Sequence, residues 1–387
     1  MTKFIDNIFS LKNKSYDDGR CYKVLRIFGF KIKFKNHKKM QEKNILECIQ
    51  LCNQIKDSLH DISVCNEIKN TLQGIRTQDF TSKYFTFKFY APKSYYEQFC
   101  TNDINEKYLK LIDGLDTESI KIFNRVLFRI QQHAFKDEIN FEVDAEEFKD
   151  LDKIRRIQNS AVKLNDGLYA YENYVVPTDF YCAASLYYKH FINDVEDKDK
   201  IYNGDIIDAG AYVGDSALVL SPYTSKNIYS FEPEAANYEK IKQTIEVNHL
   251  KNVIPVKKGL GDTITQGNVN DSIYDFGYSI TTEDYDNPKE KIEITTVDAF
   301  VKENNLKVGL IKTDVEGFEQ QLLKGALETI KRDKPVLMIS MYHTFNDYWD
   351  LKPMIENLNL GYKFKIRKPA IEDIYADLVL MAEVPNN

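Results

Sequence analysis

Gly204-Asp205-Ile206-Ile207-Asp208-Ala209-Gly210-Ala211-Tyr212-Val213-Gly214-Asp215-Ser216 is the stretch around which the chain is organised. Ile206 and Ile207 form a short apolar run of the kind that makes a strand covered on both faces. Gly210 and Gly214 bracket a turn, where glycine permits positive φ and close approach of the backbone to a ligand. Asp215 and Ser216 are helix-capping types, and Ala217-Leu218-Val219-Leu220 continues as helix. The free N–H groups at that helix start favour a carboxylate or phosphate lying over the turn.

The spacing narrows the ligand. A dinucleotide fingerprint reads G-x-G-x-x-G, whereas here Asp208-x-Gly210-x-x-x-Gly214 carries two glycines. That is the form used by S-adenosylmethionine-dependent methyltransferases, and an ordinary βα turn is the competing reading. Asn227 to Phe231 reads as a second strand ending in Glu232, where a carboxylate can accept hydrogen bonds from both ribose hydroxyls. Val253 to Lys257 is expected as a third strand, closed by Gly259-Leu260-Gly261-Asp262, and Asp262 is placed to accept from an adenine amino group or to be a solvated turn residue.

The rest of this half alternates strand and helix. Residues 263–290 are polar and read as a loop or added hairpin at the carboxyl edge of the sheet, where substrate contacts commonly lie. Ile292 to Val297 is strand-like, and Asp298 to Asn304 a short helix. Val308 to Thr313 is the fourth core strand, running into Asp314-Val315-Glu316-Gly317, with one helix expected over Phe318 to Ile330. Pro335 to Met341 is the fifth, followed by Tyr342-His343, with a helix over Trp349 to Leu358 and two last strands at Tyr362 to Arg367 and Leu378 to Ala382. Such alternation predicts a doubly wound α/β sheet, and places Asp314 and His343 at the carboxyl edge where ligands bind.

Upstream, the lead-in Tyr169 to Phe180 and a helix over Tyr181 to Ile192 are expected to cover the cofactor, with Tyr174, Asp179 and Tyr181 either lining the cleft or packing as core. Asn165-Asp166-Gly167 marks a boundary, so three regions are expected: a leader over 1–40, a mostly helical domain over 41–165 without recognisable chemistry, and the α/β domain over 166–387. Within the middle region Ile45, Ile49, Cys52, Ile55, Leu59 and Ile62 form one helical stripe, read as core or as the seam of a homodimer. A further helix opens at Asp116-Thr117-Glu118.

Charge is unevenly spread over the 387 residues: the net −7 divides into eleven Lys/Arg against three Asp in residues 1–40, or +8, and so −15 in the remainder. An acidic body disfavours a nucleic-acid groove, which must neutralise phosphates. Six cysteines occur without a C-x-x-C pair, and Cys48 with Cys52 lacks the histidines of a zinc site, so buried free thiols are expected and no metal is assigned. Free thiols without a signal peptide or an apolar run of about 20 residues point to the cytoplasm. In the leader, Phe30-Lys31-Ile32-Lys33-Phe34-Lys35 alternates strictly, with Lys23 to Phe28 as its hairpin partner and Gly29 at the bend. A cationic, aromatic segment of this kind is expected either to rest on the inner face of an anionic membrane or to pack on the acidic body.

Four segments together resemble the FkbM family of methyltransferases: Asp208-Ala209-Gly210-Ala211-x-x-Gly214-Asp215, Phe231-Glu232-Pro233, Lys312-x-Asp314-Val315-Glu316-Gly317-x-Glu319, and Ile339-Ser340-x-Tyr342-His343. The resemblance covers about residues 165–387 and implies a Rossmann-like class I methyltransferase fold. It also implies S-adenosylmethionine and transfer to oxygen, often a sugar hydroxyl. Asp208, Gly210, Ala211, Gly214, Asp215, Ser216, Glu232 and Asp262 are then the expected cofactor residues. Since a sugar hydroxyl is a weak nucleophile, a base is useful. His343 is the first choice by residue type, with Asp314 and Glu316 as alternative bases or orienting groups. The acceptor is expected to be a glycan, a nucleotide-sugar or a lipid-linked sugar of bacterial surface glycan synthesis. Two readings compete: a nucleic-acid methyltransferase, disfavoured because Asp-Val-Glu-Gly stands where such enzymes carry a Pro-Pro-[Tyr/Phe] motif, and a non-catalytic scaffold that keeps the cofactor fold.

Overall fold

The computed structural model describes residues 9–15, 21–27, 30–35, 84–86 and 93–385, the last range with gaps at 102, 136–139, 166, 272–277, 283–288 and 372. The chain divides into two compact units, Met1–Ser82 and Lys83–Asn387. In the first, Phe9–Ser15, Cys21–Ile27 and Phe30–Lys35 form a three-stranded antiparallel sheet, with Ile27 opposite Phe30 as the alternation predicts. The stripe from Ile45 to Ile62 lies outside the described residues.

The second unit is built on a seven-stranded sheet: β1 (Asp205–Ala209), β2 (Ile228–Phe231), β3 (Val253–Val256), β4 (Val308–Thr313), β5 (Val336–Ser340), β6 (Lys363–Arg367) and β7 (Val379–Glu383). Their order is β3-β2-β1-β4-β5-β7-β6, with β7 antiparallel to both neighbours. Every residue of β1, β2, β4 and β5 is buried, because helices cover both faces, and this is why those strands read as continuous apolar runs. The order reverses between β1 and β4, opening a crevice at their carboxyl ends.

Two departures from expectation have physical causes. The single helix expected over Phe318 to Ile330 is two, Glu319–Lys324 and Leu327–Asp333. They are separated at Gly325, where a Cβ would run into the carbonyl oxygen of Gly261. The helix expected to Ile192 ends at Leu186, because Lys189, His190 and Phe191 all take left-handed φ near +50°. The polar stretch after Gly261 does form a hairpin, Thr265–Asp271 with Tyr278–Thr281, joined through Glu290–Thr295 to Gly259–Leu260 in a separate four-stranded sheet.

The helices Lys93–Glu97, Ile104–Ile112, Thr117–Phe135 and Ala145–Asn159 share the core of the sheet. Phe99 and Phe123 meet Tyr348 and Trp349 edge-on or tilted, and Ser119 Oγ accepts from the Ile366 N–H of β6 at 2.8 Å. Residues 93–159 are therefore part of one compact unit with the α/β region, and the division lies at 82/83 instead of at 165. The segment has no independent core: its aromatic face is completed by the helix after β5. Among the described residues Cys100 is exposed, against the expectation of buried thiols, and Cys182 is half-buried; both are free.

Candidate active site

A cavity of about 1180 Å³ opens at the carboxyl ends of the central strands. One end is formed by the β1 turn and the end of β2, the other by the segments after β4 and β5, with the helix Ala145–Asn159, Ile371, Asp373, Tyr375, Ala376 and Asp377 also lining it.

At the β1 turn, Gly210 has φ +72°, and a Cβ on it would collide with the carbonyl oxygen of Asp314. The glycine thus locks the β1 and β4 turns together, in addition to leaving room in the cavity that it lines. Gly210 and Ala211 both donate their N–H groups to the Phe231 carbonyl, and Gly214 precedes the helix Asp215–Leu220. Asp215 and Ser216 line the cavity; Asp215 accepts from Ser185 Oγ, and Ser216 Oγ stands 3.0 Å from His190 Nε2. Burial pushes the His190 imidazole down to about 3, so it is neutral. His190 carries no sequence signal, since only the left-handed turn at 189–191 brings it to the helix start.

Glu232 directly follows β2 (Ile228–Phe231). It lines the cavity, is 7 % exposed, and accepts from the backbone N–H groups of Tyr212 and Glu234, each at 3.0 Å. Each oxygen keeps acceptor capacity for a vicinal diol. Burial raises its pKa to about 8 despite these two bonds. Leu260, Val269 and Ile280 supply an apolar wall beside it.

The expected cofactor acids Asp208 and Asp262 do not line the cavity. Asp208 is fully buried behind the cavity lining: it faces Lys312 Nζ at 3.3 Å and accepts from Ser230 Oγ at 3.2 Å. Lys312 also donates to the Gly210 carbonyl at 3.0 Å. Burial opposes the Lys312 charge, but Asp208, Asp314 and Asp215 outweigh it and hold the ammonium above its usual range. Asp262 is exposed and outside the cavity, its nearest polar partner being its neighbour Thr263 at 3.4 Å. The hairpin strands, not Asp262, wall that end.

The three candidate catalytic residues do come together. His343 Nε2 lies 3.4 Å from Asp314 Oδ1 and 3.7 Å from Glu316 Oε2, and its Nδ1 lies 2.9 Å from Glu319 Oε1. Glu319 is fully buried and accepts from the N–H groups of Val315 and Gly317, both at 2.9 Å. Its place in the Asp-Val-Glu-Gly-x-Glu segment is thereby explained: it folds the turn and faces the imidazole. Burial alone would lower the His343 pKa, but Glu319, Glu316 and Asp314 raise it to about 10. The three carboxylates favour the cationic imidazole, which disfavours the general-base role expected of His343. Burial raises Glu316 to about 7, whereas Lys312 and His343 overcome the effect of burial at Asp314 and hold that carboxylate below its usual range. Tyr342 Oη donates to Asp314 at 3.2 Å. Asp179 and Tyr181 also line the cavity, while Tyr174 does not.

The strand order, the glycine turn after β1 and the acid closing β2 define a class I methyltransferase fold. Residues 208–364 match the family model of the Methyltransferase FkbM domain. No curated protein matches the chain. Among solved structures, it is similar to the methyltransferase FkbM of Methylobacillus flagellatus at 18 % identity and a TM-score of 0.47, covering 72 % of this chain and 58 % of that one. It is also similar to an rRNA methylase from Streptococcus thermophilus at 14 % identity and a TM-score of 0.33, covering 49 % of this chain and 94 % of that one. A third, M. jannaschii TYW2 solved in complex with AdoMet, has 13 % identity and a TM-score of 0.32, covering 57 % of this chain and 86 % of that one.

Proposed function

We propose that this chain is an S-adenosylmethionine-dependent O-methyltransferase that acts on a sugar hydroxyl of a glycan, nucleotide-sugar or lipid-linked sugar in bacterial surface glycan synthesis. The observation that carries the reading is one continuous cavity joining Glu232 and the Gly210 turn to Asp314, Glu316 and His343. Glu232 suits the ribose diol, because both its oxygens are fixed by backbone N–H groups and still face open space. Leu260, Val269 and Ile280 suit the adenine, and Gly210 with the helix start at Asp215 suits the methionine moiety. The cofactor supplies an electrophilic methyl group on a sulfonium.

The chain's own part is positioning and proton acceptance. Holding an attacking oxygen in line is worth up to about 7–11 kcal/mol in well-oriented systems. The carboxylates of Asp314 and Glu316, beside a cationic His343, are the groups able to orient the hydroxyl and take its proton. Calorimetry with S-adenosylmethionine, then transfer of labelled methyl to surface-glycan precursors, tests the reading. Absence of cofactor binding would favour a scaffold instead, and transfer to nucleic acid in place of sugars would reject the acceptor class.

A further inference from the structure

Asp314, Glu319 and His343 each offer a ligand atom within 4.8 Å of one another. The side chain of His343 is 8 % exposed; its Nδ1 lies 2.9 Å from Glu319, while Nε2, 3.4 Å from Asp314, has no aligned hydrogen-bond acceptor in the protein. Nε2 points between Asp314 and Glu316, which line the cavity, whereas Nδ1 is backed by Glu319 on a backbone-anchored carboxylate. Three carboxylates thus surround one imidazole, a negative excess in a largely buried place.

The distances have the scale of a coordination shell. Bonds of about 2.0–2.2 Å at tetrahedral angles separate donor atoms by about 3.3–3.6 Å, and the separations of Nε2 from the two carboxylate oxygens are 3.4 and 3.7 Å. A carboxylate on the far nitrogen of a metal-binding histidine is the usual orienting partner, fixing the ring and raising the basicity of the other nitrogen. One imidazole with two carboxylates suits a first-row divalent ion. The cavity side of the cluster stays open for an oxygen ligand, as in catalytic sites.

We propose that His343 Nε2, Asp314 and Glu316 bind one first-row divalent cation, with Glu319 as the residue that positions the imidazole. Proton and cation compete for the same Nε2 lone pair, so the cation takes the place of the positive charge that the three carboxylates favour. An acceptor hydroxyl on the open side would lose its proton more readily, as metal-bound water does. This last consequence rests on the methyl-transfer reading; the binding of the cation does not.

Titration of the full chain with Co²⁺ alone, without cofactor or acceptor, tests the site through visible absorption bands. One equivalent should bind saturably and be displaced by Zn²⁺. His343→Gln and Asp314→Asn should each weaken binding by more than tenfold, and Glu319→Gln by about 10- to 100-fold, the usual cost of losing an orienting partner. Should His343→Gln fail to fold, Glu316→Gln, nearly isosteric and at the cavity wall, decides the case by the same tenfold criterion. No saturable uptake by the wild-type chain, or unchanged affinity in these variants, overturns the proposal. Because the readout needs no methyl transfer, its failure is separate from failure of the proposed activity.

Discussion

Glu232 is a carboxyl whose environment works against its charge: burial raises its pKa to about 8 while two N–H groups fix its oxygens. Below that pH it binds a proton, and one oxygen turns from acceptor to donor. Two ribose hydroxyls need two acceptors, so S-adenosylmethionine affinity should rise with pH towards 8 and then level. Calorimetry across pH 6–9 checks this, and Glu232→Gln should flatten the curve while costing roughly 1.5–3 kcal/mol, the scale of charged hydrogen bonds. The same sign logic applies to stability: a raised carboxyl pKa means the native state holds the extra proton, so this group's contribution falls as pH rises from about 4.5 through about 8. His343 behaves oppositely to its expected role. With His343 raised to about 10 and Glu316 to about 7, a limb between pH 6 and 8 should belong to Glu316, persist in His343→Ala and vanish in Glu316→Gln. Glu316→Gln should lower turnover by roughly 10²- to 10⁴-fold, the usual contribution of a positioned acid–base group. A limb near pH 6.5 that vanishes in His343→Ala would return the base role to the histidine.

At the scale of elements, the hairpin Thr265–Asp271 with Tyr278–Thr281 walls the cavity through Val269 and Ile280. If this wall meets the adenine, Ile280→Ser should weaken the cofactor by about 1–2 kcal/mol, the scale of a lost apolar side-chain contact, beside some loss of thermal stability, since Ile280 packs on Val269, Ile292 and Ile294. Equal cofactor affinity in wild type and variant would assign the hairpin to the acceptor. The central strands were legible because burial on both faces leaves uninterrupted apolar runs, and Asp314, Glu316, Glu232 and His343 were legible because they end such runs. What periodicity cannot carry is pairing between distant turns. Asp208 looks like a cofactor acid until β4 brings Lys312 beside it. Gly210 looks like space for a ligand, yet it is also contact space for Asp314, so Gly210→Ala should cost more than about 1 kcal/mol of stability even without cofactor. His190 and the break at Gly325 depend on local backbone that a helical pattern hides.

At the scale of the whole molecule, the unit Met1–Ser82 and the unit Lys83–Asn387 are separate bodies with different charge. In the three-stranded sheet, register pairs Arg26 with Lys31 and Ser10, Val24 with Lys33 and Lys12, and Tyr22 with Lys35 and Lys14. In sequence, residues 1–40 carry eleven Lys/Arg against three Asp, and Phe30 to Lys35 alternates apolar and cationic residues. Among the described residues no helix is long and apolar enough to cross a membrane. We propose that this basic, aromatic segment holds the chain against an anionic lipid surface, each basic residue near the surface contributing about 1 kcal/mol. Vesicles containing anionic lipid should bind the full chain, and binding should fall as salt rises from 50 to 500 mM, because the Debye length shortens. A chain beginning at Lys83 should lose that binding yet keep its melting temperature and cofactor affinity, since Lys83–Asn387 is a compact unit. Undiminished vesicle binding by the shortened chain would reject the lipid role of the sheet. A collapse of its melting temperature would show that the two units support one another.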